Sequence, residues 1–548
     1  MAHLDLGPGA DSLRLAPPSA AAITDRAPGM MPPALPERHR HARNDWHLAL
    51  GVLGAAALIR LLFAARIPLF PDETYYWVWS RHLATGYFDH PWGIAVLIRG
   101  GTWMAAALGI SRSPLAVRLL VIIAGFLASL FGAAIARRLG GDRPGLVAAI
   151  VFVVMPLAAS GMILATPDVP LLLTAAAGLY CVVCAIGHPP RSTFALWWWI
   201  AAGVSLGLAF SSKYTSILLP VGVTIAVLTR RGLRVRLAEP GPYAACLAAL
   251  VVFIPVLVWN SHHGWISFGF QIHHGLGAPS GSPLKRELNL IGGQAGLASP
   301  IILVMLAIAV WRAVRHPASD AHYLLAVVAL TSVGLFAVSA LRRPVEANWP
   351  AIAYVPAVPL LALVDWGKTA RRWLWWGVGL AALVSSAIYV QSATPILPLP
   401  ARRDPVARSA GWQQLADSVA SATRRLAGDS AHVWVGADKY QDASELAFHM
   451  PDQTTTFSTN ISGRPNQYDL WPGFRQLAHP GDDLVLVLDE VPQPHHTAVV
   501  LGPHFRTLEK GSLVPLERRD GDVATYRRIW VLRGWKGTWP DSKAIVAR

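Results

Sequence analysis

The chain has 548 residues, is 53% hydrophobic and only 14% charged, and its mean hydropathy is +0.40. With many apolar runs near the length that crosses a bilayer, these values exclude an ordinary soluble domain and indicate a polytopic α-helical membrane protein, with the lipid bilayer as its first partner. The net charge of +15 does not point to nucleic acid, because the arginines gather between apolar segments, where they act as topology signals. Cys181, Cys184 and Cys246 all lie inside apolar stretches, so the polar parts contain no disulfide framework. Cys181 and Cys184 have redox-motif spacing, but within a predicted span they read as small helix-packing surface.

Residues 1–44 are rich in Pro, Ala, Arg and His without apolar periodicity and predict a disordered tail. The first apolar run starts near His47 and is long enough to span, which argues against a cleaved signal peptide. Arg38, Arg40 and Arg43 before it place the amino terminus in the cytoplasm. Apolar runs at 47–66, 115–136, 144–164, 169–187, 195–210, 215–229, 241–259, 288–310, 321–340, 350–366 and 373–391 predict about eleven transmembrane helices within residues 45–392.

The stretch 92–110 decides the topology. The basic loops at Arg137, Arg138 and Arg143, at Arg230, Arg231, Arg234 and Arg236, at Arg312 and Arg315, and at Lys368, Arg371 and Arg372 share a side with the tail only if 92–110 does not cross. With Arg99, Gly100 and Gly101 in its middle, that stretch reads as an interfacial or re-entrant helix, and the external loop 67–114 then carries juxtamembrane helices. The same topology puts the turn at 165–168, the loops at 211–214, 260–287 and 341–349, and everything after 392 on the external face. A Pro-rich linker over 393–405 leads into a soluble domain over 406–548. There, strand-like runs (432–435, 483–488) alternate with helical ones (412–426, 442–449), as in an α/β domain.

Polar residues collect on that external face. Asp72 and Glu73 follow the first span at once, among Tyr75, Tyr76, Trp77, Trp79, Tyr87 and Phe88. Two carboxylates beside hydrocarbon are costly and point to a functional site; an aromatic belt with two solvated acids is the plain alternative. Asp168 sits in a tight turn where it also suits a helix cap. Lys213 and Tyr214 cap another pair of spans, where Lys213 could simply snorkel. His262, His263, His273 and His274 share one loop, with no carboxylate at ligand spacing; Arg342, Arg343, Glu346, Asn348 and Trp349 share the next. No metal constellation of recognisable spacing is present, and no cofactor is called for, although a divalent metal stays compatible. Acids and cations converging at one surface of a transmembrane scaffold make an active site.

Pro71 to Trp79 together with Gly86–Tyr–Phe–Asp–His–Pro91 resembles the first external loop of the polyprenyl-phosphate-dependent membrane glycosyltransferases of the GT-C type, the group of protein O-mannosyltransferases and lipid A aminoarabinose transferases. Ala165–Thr–Pro–Asp168, Ser212–Lys–Tyr214, Glu346–Ala–Asn–Trp–Pro350, Tyr440 to Phe448, and Asn466 to Pro472 resemble the bacterial branch in the same order. One departure is Asp89–His90–Pro91–Trp92, where the family usually reads His–Pro–Pro after the aspartate. The resemblance implies a bacterial inner-membrane enzyme with a periplasmic carboxy-terminal domain. It implies a hexosyl- or pentosyl-type transferase, with a sugar donor carried on undecaprenyl phosphate or a related lipid and an envelope acceptor such as lipid A, another envelope glycan or an exported protein. It also implies inversion by direct displacement. In that chemistry a carboxylate takes the acceptor's proton and cations hold the leaving phosphate. Asp72 is then the candidate base, Glu73 or Asp168 orients acceptor or sugar, and Lys213 with one of Arg342 and Arg343 holds the phosphate. Tyr75, Tyr76, Tyr87, His90, Tyr214, Glu346 and Asn348 line the substrate. A secondary transporter would carry broken, charged helices at the midplane in two repeated halves, and a membrane-anchored binding protein would leave Asp72, Glu73 and Asp168 without a task.

Overall fold

A computed structural model describes residues 38–276, 281–428, 432–461, 463–490 and 496–540. Most of the tail expected over 1–44 lies outside the described residues, and helix α1 (Arg38–Ala64) already includes its end. Two short helices follow, α2 (Pro71–Arg81) and α3 (Gly93–Ala106). With 14 residues, α3 is about 21 Å long, short of the roughly 30 Å of a hydrocarbon core. This fits the non-crossing helix expected there.

The helical body continues through α4 (Pro114–Gly140), α5 (Asp142–Val154), α6 (Pro156–Gly161), α7 (Asp168–Ile186), α8 (Thr193–Phe210), α9 (Leu218–Thr229), α10 (Arg231–Arg234), α11 (Pro240–His262), α12 (Ile266–Leu276), α13 (Pro283–Ala298), α14 (Pro300–Arg315), α15 (Asp320–Ala340), α16 (Ala351–Leu363) and α17 (Lys368–Ala393). Among the described residues seven helices are long and apolar enough to cross a membrane, or up to nine if each of two bent pairs is one span. Of the about eleven runs expected from the sequence, those at 144–164, 288–310 and 350–366 are broken or short helices. Prolines account for two of the breaks, because a residue before proline is driven out of the α region. Met155 is extended ahead of Pro156 and divides α5 from α6. Ser299 ahead of Pro300 has φ +77° and caps α14 through Ile302 N–H, so the expected span 288–310 is two helices meeting at 101°. Short α16 has Pro356 and Pro359 inside it and is buried along most of its length, where protein rather than lipid surrounds it.

The carboxy-terminal part carries α18 (Trp412–Leu426), α19 (Tyr440–His449), α20 (Phe474–Leu477), α21 (His496–Leu501) and strands β1 (Val433–Ala437), β2 (Thr456–Ser458), β3 (Asp483–Asp489), β4 (Phe505–Glu517) and β5 (Val523–Trp535). The sheet order is β2-β1-β3-β5-β4. β1 is parallel to both neighbours and β4–β5 is an antiparallel hairpin, an α/β arrangement as the alternating pattern predicted. One hydrophobic cluster joins this part to α2: Tyr75, Trp77, Val78 and Trp79 are buried with Trp412, Val419, Leu446, Phe448 and Val485.

The other side of α2 is fixed by a buried ion pair. Arg118 and Glu73 are both essentially without solvent exposure. The guanidinium Nε donates to Glu73 Oε1 at 2.8 Å, and its terminal nitrogens also donate to the carbonyls of Ile67 (2.7 Å) and Pro68 (3.0 Å). Glu73 further accepts from the N–H groups of Phe70 (3.0 Å) and Ala165 (2.8 Å). One carboxylate thereby joins the exit of α1, the start of α2, helix α4 and the turn before α7.

Two outcomes are expected. Glu73→Gln leaves the Arg118 charge buried and uncompensated, so thermal unfolding of the purified protein should show a loss of about 3–5 kcal/mol. Glu445 behaves in the opposite way. Its carboxyl is fully buried, and among the described residues neither oxygen has a well-formed hydrogen bond. Burial, helped by Glu73 and Asp442 nearby, pushes it well above the ordinary 4.5. His449, 3.3 Å away, is held down to about 4 by burial, so near pH 7 it is neutral and offers Glu445 no countercharge. A raised folded-state pKa means that stability is complete below the unfolded value and falls as pH rises above it. Glu445→Gln should therefore stabilise the protein, by a margin in melting temperature that widens from pH 5 to pH 8.

Candidate active site

Asp72 and Glu73 are neighbours on a helix, so their side chains project about 100° apart. With Glu73 turned to Arg118, Asp72 shares a face with residues three and four positions on, Tyr75 and Tyr76. All three line a cavity of about 650 Å³, together with Asp89, His90, Asp168, Lys213, Tyr214, His274, Glu346, Asn348, Arg408, Tyr440 and Arg464. That volume suits a small-molecule substrate.

The loop after α2 is shaped for this wall. Gly86 and Pro91 pair as an isolated bridge, and Tyr87 N–H donates to His90 C=O at 3.1 Å. A Cβ on Gly86 would stand 2.6 Å from the Trp259 ring, so this tight turn needs glycine. The turn presents Asp89 and His90 inward. Asp89 is 4% exposed; it accepts from the Tyr75 hydroxyl at 2.7 Å and pairs with Arg464 at 2.8 Å. Burial raises its carboxyl pKa against the pull of Arg464 and Tyr75. Arg464 also lies over the rings of Phe270 and Tyr440, 4.9 and 5.0 Å from their centroids. His90 has a buried Nδ1 with no partner among the described residues. Burial and the charges of Lys213 and Arg464 push the imidazole well below its usual range, so it acts as a neutral hydrogen-bonding group.

On the opposite wall Lys213 Nζ donates to Asp168 Oδ1 at 2.7 Å and Asn348 Nδ2 donates to Asp168 Oδ2 at 2.9 Å. Lys213 is 7% exposed, so it points into the protein rather than snorkelling. It is brought there by the contact of Gly93 N–H with Ser211 C=O at 2.8 Å. Tyr214 is held by Ser267 at 3.0 Å and Asn260 at 3.3 Å.

Asp72 differs from Asp89 and Asp168. Among the described residues its carboxylate makes no hydrogen bond or ion pair, while Asp89 and Asp168 are both committed. It is open to the cavity space yet walled by protein, and that desolvation, with Asp89 and Glu73 adding to it, raises its pKa; Arg408 and Arg464 oppose the shift. A free carboxylate with a raised pKa, facing cations across a cavity, is equipped for proton abstraction.

Of the residues singled out in the sequence, the cavity gathers Asp72, Tyr75, Tyr76, His90, Asp168, Lys213, Tyr214, Glu346 and Asn348. Glu73 does not line it. Tyr87 does not either: its ring stacks on Trp79 at 4.3 Å, and its hydroxyl serves the backbone around residues 79–84. Arg342 is exposed and Arg343 half-exposed; neither lines the cavity, although Arg343 is near enough to help lower the pKa of His274. His274 alone of the four histidines reaches the cavity; His263 and His273 each place Nδ1 2.8 Å from a carbonyl of their own helix. Arg408 and Arg464, and Asp89 as a site residue, were not foreseen, since isolated arginines in a polar domain carry no pattern. Tyr440 had a signal, as the first residue of a stretch already singled out. Among the described residues no group of three His, Cys, Asp or Glu is arranged to hold a metal ion.

Residues 89–259 match the family described as dolichyl-phosphate-mannose-protein mannosyltransferase. A lipid A galacturonosyltransferase of Rhizobium johnstonii is 28% identical over 305 residues, 55% of this chain; the match spans 62% of that relative's length. The fold is that of the ArnT protein of Cupriavidus metallidurans. Its apo crystal structure matches with TM-score 0.61 at 16% identity over 89% of this chain and 98% of that one. The structure of ArnT bound to undecaprenyl phosphate matches with TM-score 0.59, also at 16% identity, over 88% and 97%. In motifs and in fold alike, the chain is similar to the GT-C membrane glycosyltransferases of the lipid A aminoarabinose transferase and protein mannosyltransferase type.

Proposed function

We propose that this protein is an inner-membrane glycosyltransferase that moves a sugar from a polyprenyl-phosphate donor to a hydroxyl or phosphate oxygen of a lipid A-like envelope acceptor. The catalytic cavity and the carboxy-terminal domain then face the periplasm. The observation that carries the reading is Asp72, an unpartnered carboxylate facing Lys213 and Arg464 across one cavity. The undecaprenyl phosphate held by the ArnT protein of like fold supports the donor class, and the galacturonosyltransferase relative supports the acceptor class.

In this mechanism Asp72 takes the proton of an acceptor hydroxyl, and the oxygen attacks the anomeric carbon from the face opposite the phosphate. The bond from that carbon to the phosphate oxygen breaks, the electron pair leaves with the lipid phosphate, and the configuration inverts. A cation set in place beforehand stabilises the charge developing on the leaving group. Lys213 has this role, its ammonium oriented by Asp168, which Asn348 holds in turn. Arg464, anchored by Asp89, supplies a second positive group, and Arg343 stands closer to the cavity than Arg342. Glu73 acts as the anchor of α2 and not on substrate. Tyr76, Tyr214 and His90 line the sugar.

The test is release of free polyprenyl phosphate, followed by mass spectrometry, from a panel of bacterial polyprenyl-phosphate sugars with envelope lipid as acceptor. Wild type should release it from one donor, and Asp72→Asn, still folded, should be slower by about 10²–10⁴-fold. Because Asp72 must be ionised to act, kcat/KM should fall as pH falls through its pKa, with the acid limb displaced above the ordinary carboxylate range. Unchanged release by Asp72→Asn would remove Asp72 from the base role, and no release from any donor would overturn the transferase reading.

A further inference from the structure

A second cavity of about 680 Å³ lies beside the first, between the segment after α17 and the carboxy-terminal domain. Pro71, Arg408, Tyr440, Gln441 and Arg464 line both, so the two spaces adjoin at the start of α2. Its ionisable lining comprises Arg402, Arg403, Arg408, Lys439, Arg464 and Arg527 against Asp404 and Asp442.

The charges do not cancel. Asp442 is taken by Arg527 at 2.6 Å and Asp404 by Arg518 at 2.8 Å, while Lys439 is paired with Asp489 and Arg464 with Asp89. Arg402, Arg403 and Arg408 are exposed and make no side-chain hydrogen bond or ion pair among the described residues. Their backbone is nevertheless held. Asp522 accepts from Ala401 N–H at 2.8 Å, Asp404 accepts from Val406 N–H at 2.9 Å, and Arg518 donates to Leu399 C=O at 3.1 Å. The β4–β5 turn thus clamps the segment that bears the arginines. Three open guanidinium groups on a fixed backbone form a site for phosphate or carboxylate, whose oxygens they match in pairs.

We propose that this second cavity binds an anionic group, phosphate or carboxylate, of the acceptor saccharide while the acceptor's reacting oxygen lies in the first cavity beside Asp72. The inference rests on the transferase reading and adds to it a determinant of acceptor choice. A saccharide is favoured over a bulk lipid headgroup because side chains of the carboxy-terminal domain, Gln441, Asn460 and Thr525, line the space, and because it adjoins the cavity that holds Asp72.

The experiment uses the full chain in nanodiscs. Binding of diphosphoryl lipid A and of its dephosphorylated form is measured without donor by native mass spectrometry, and transfer is measured separately with donor. Wild type should prefer the phosphorylated form by about tenfold or more, the scale of a lost charge-assisted contact. Arg402→Ala/Arg403→Ala should lose most of that preference and raise the acceptor KM but not the donor KM, and the corresponding double lysine variant should recover part of it. Equal binding of the two forms by wild type, or an unchanged preference in the alanine variant, would overturn the proposal while leaving the transferase reading intact. Competition by phosphatidylglycerol vesicles as strong as by lipid A would assign the arginines to membrane headgroups and also overturn it. Phosphate-dependent binding without transfer from any donor would uphold the anion site and overturn the transferase reading.

Discussion

The buried pair between Glu73 and Arg118 is the constraint on which the site depends. It determines which way helix α2 is turned about its own axis. Because two consecutive helical residues diverge by about 100°, committing Glu73 to the core delivers Asp72 to the cavity, and with it Tyr75 and Tyr76. The same carboxylate holds the backbone at Ala165, three residues before Asp168, so the two walls of the cavity are referred to one point. A hydrophobic contact in place of this pair would stabilise a helix against a helix, but it would not set the rotation so narrowly. Buried ion pairs are costly to form; here the return is geometric.

Electrostatic commitment separates structural acids from chemical ones throughout this region. Asp89, Asp168, Asp404 and Asp442 each have a cation, and those pairs hold loops, helices and the linker in place. Asp72 has none, and neither do Arg402, Arg403 and Arg408 among the described residues. Charges of both signs without a partner among the described residues thus line the two adjoining cavities. A negative group near one end and positive groups along the rest suit a reaction in which a proton is removed at one place and anions are held at others.

Much of this was legible in the sequence, for reasons that can be named. Long apolar runs announced the helices, positive loops argued that 92–110 does not cross, and its 14-residue helix is too short to do so. The period-two run at 483–488 became β3, and 412–426 became α18. Asp72, Asp168, Lys213 and Asn348 were found because polar groups beside hydrocarbon need a reason. What was not legible depended on three-dimensional partners. Composition cannot show that Pro300 turns the chain by 101° rather than kinking one span. Nor can it show that Glu73 faces Arg118, since an Arg within an apolar run has no mark of its partner. Arg464 lies 375 residues from the Asp89 it binds, and no local pattern links them.

The cluster that joins α2 to α18, α19 and β3 bears on how the chain matures. Tyr75 and Trp77 are made early, yet the rings they pack against include Tyr440 and Phe448, which are synthesised far later in the chain. Until that last part has been delivered and folded, the helix carrying Asp72 has one anchored side and one bare aromatic side. The cavity is likewise missing Arg408, Tyr440 and Arg464. A nascent chain can thus insert every membrane helix and still lack a complete reaction chamber, and completion of the chamber coincides with completion of the protein.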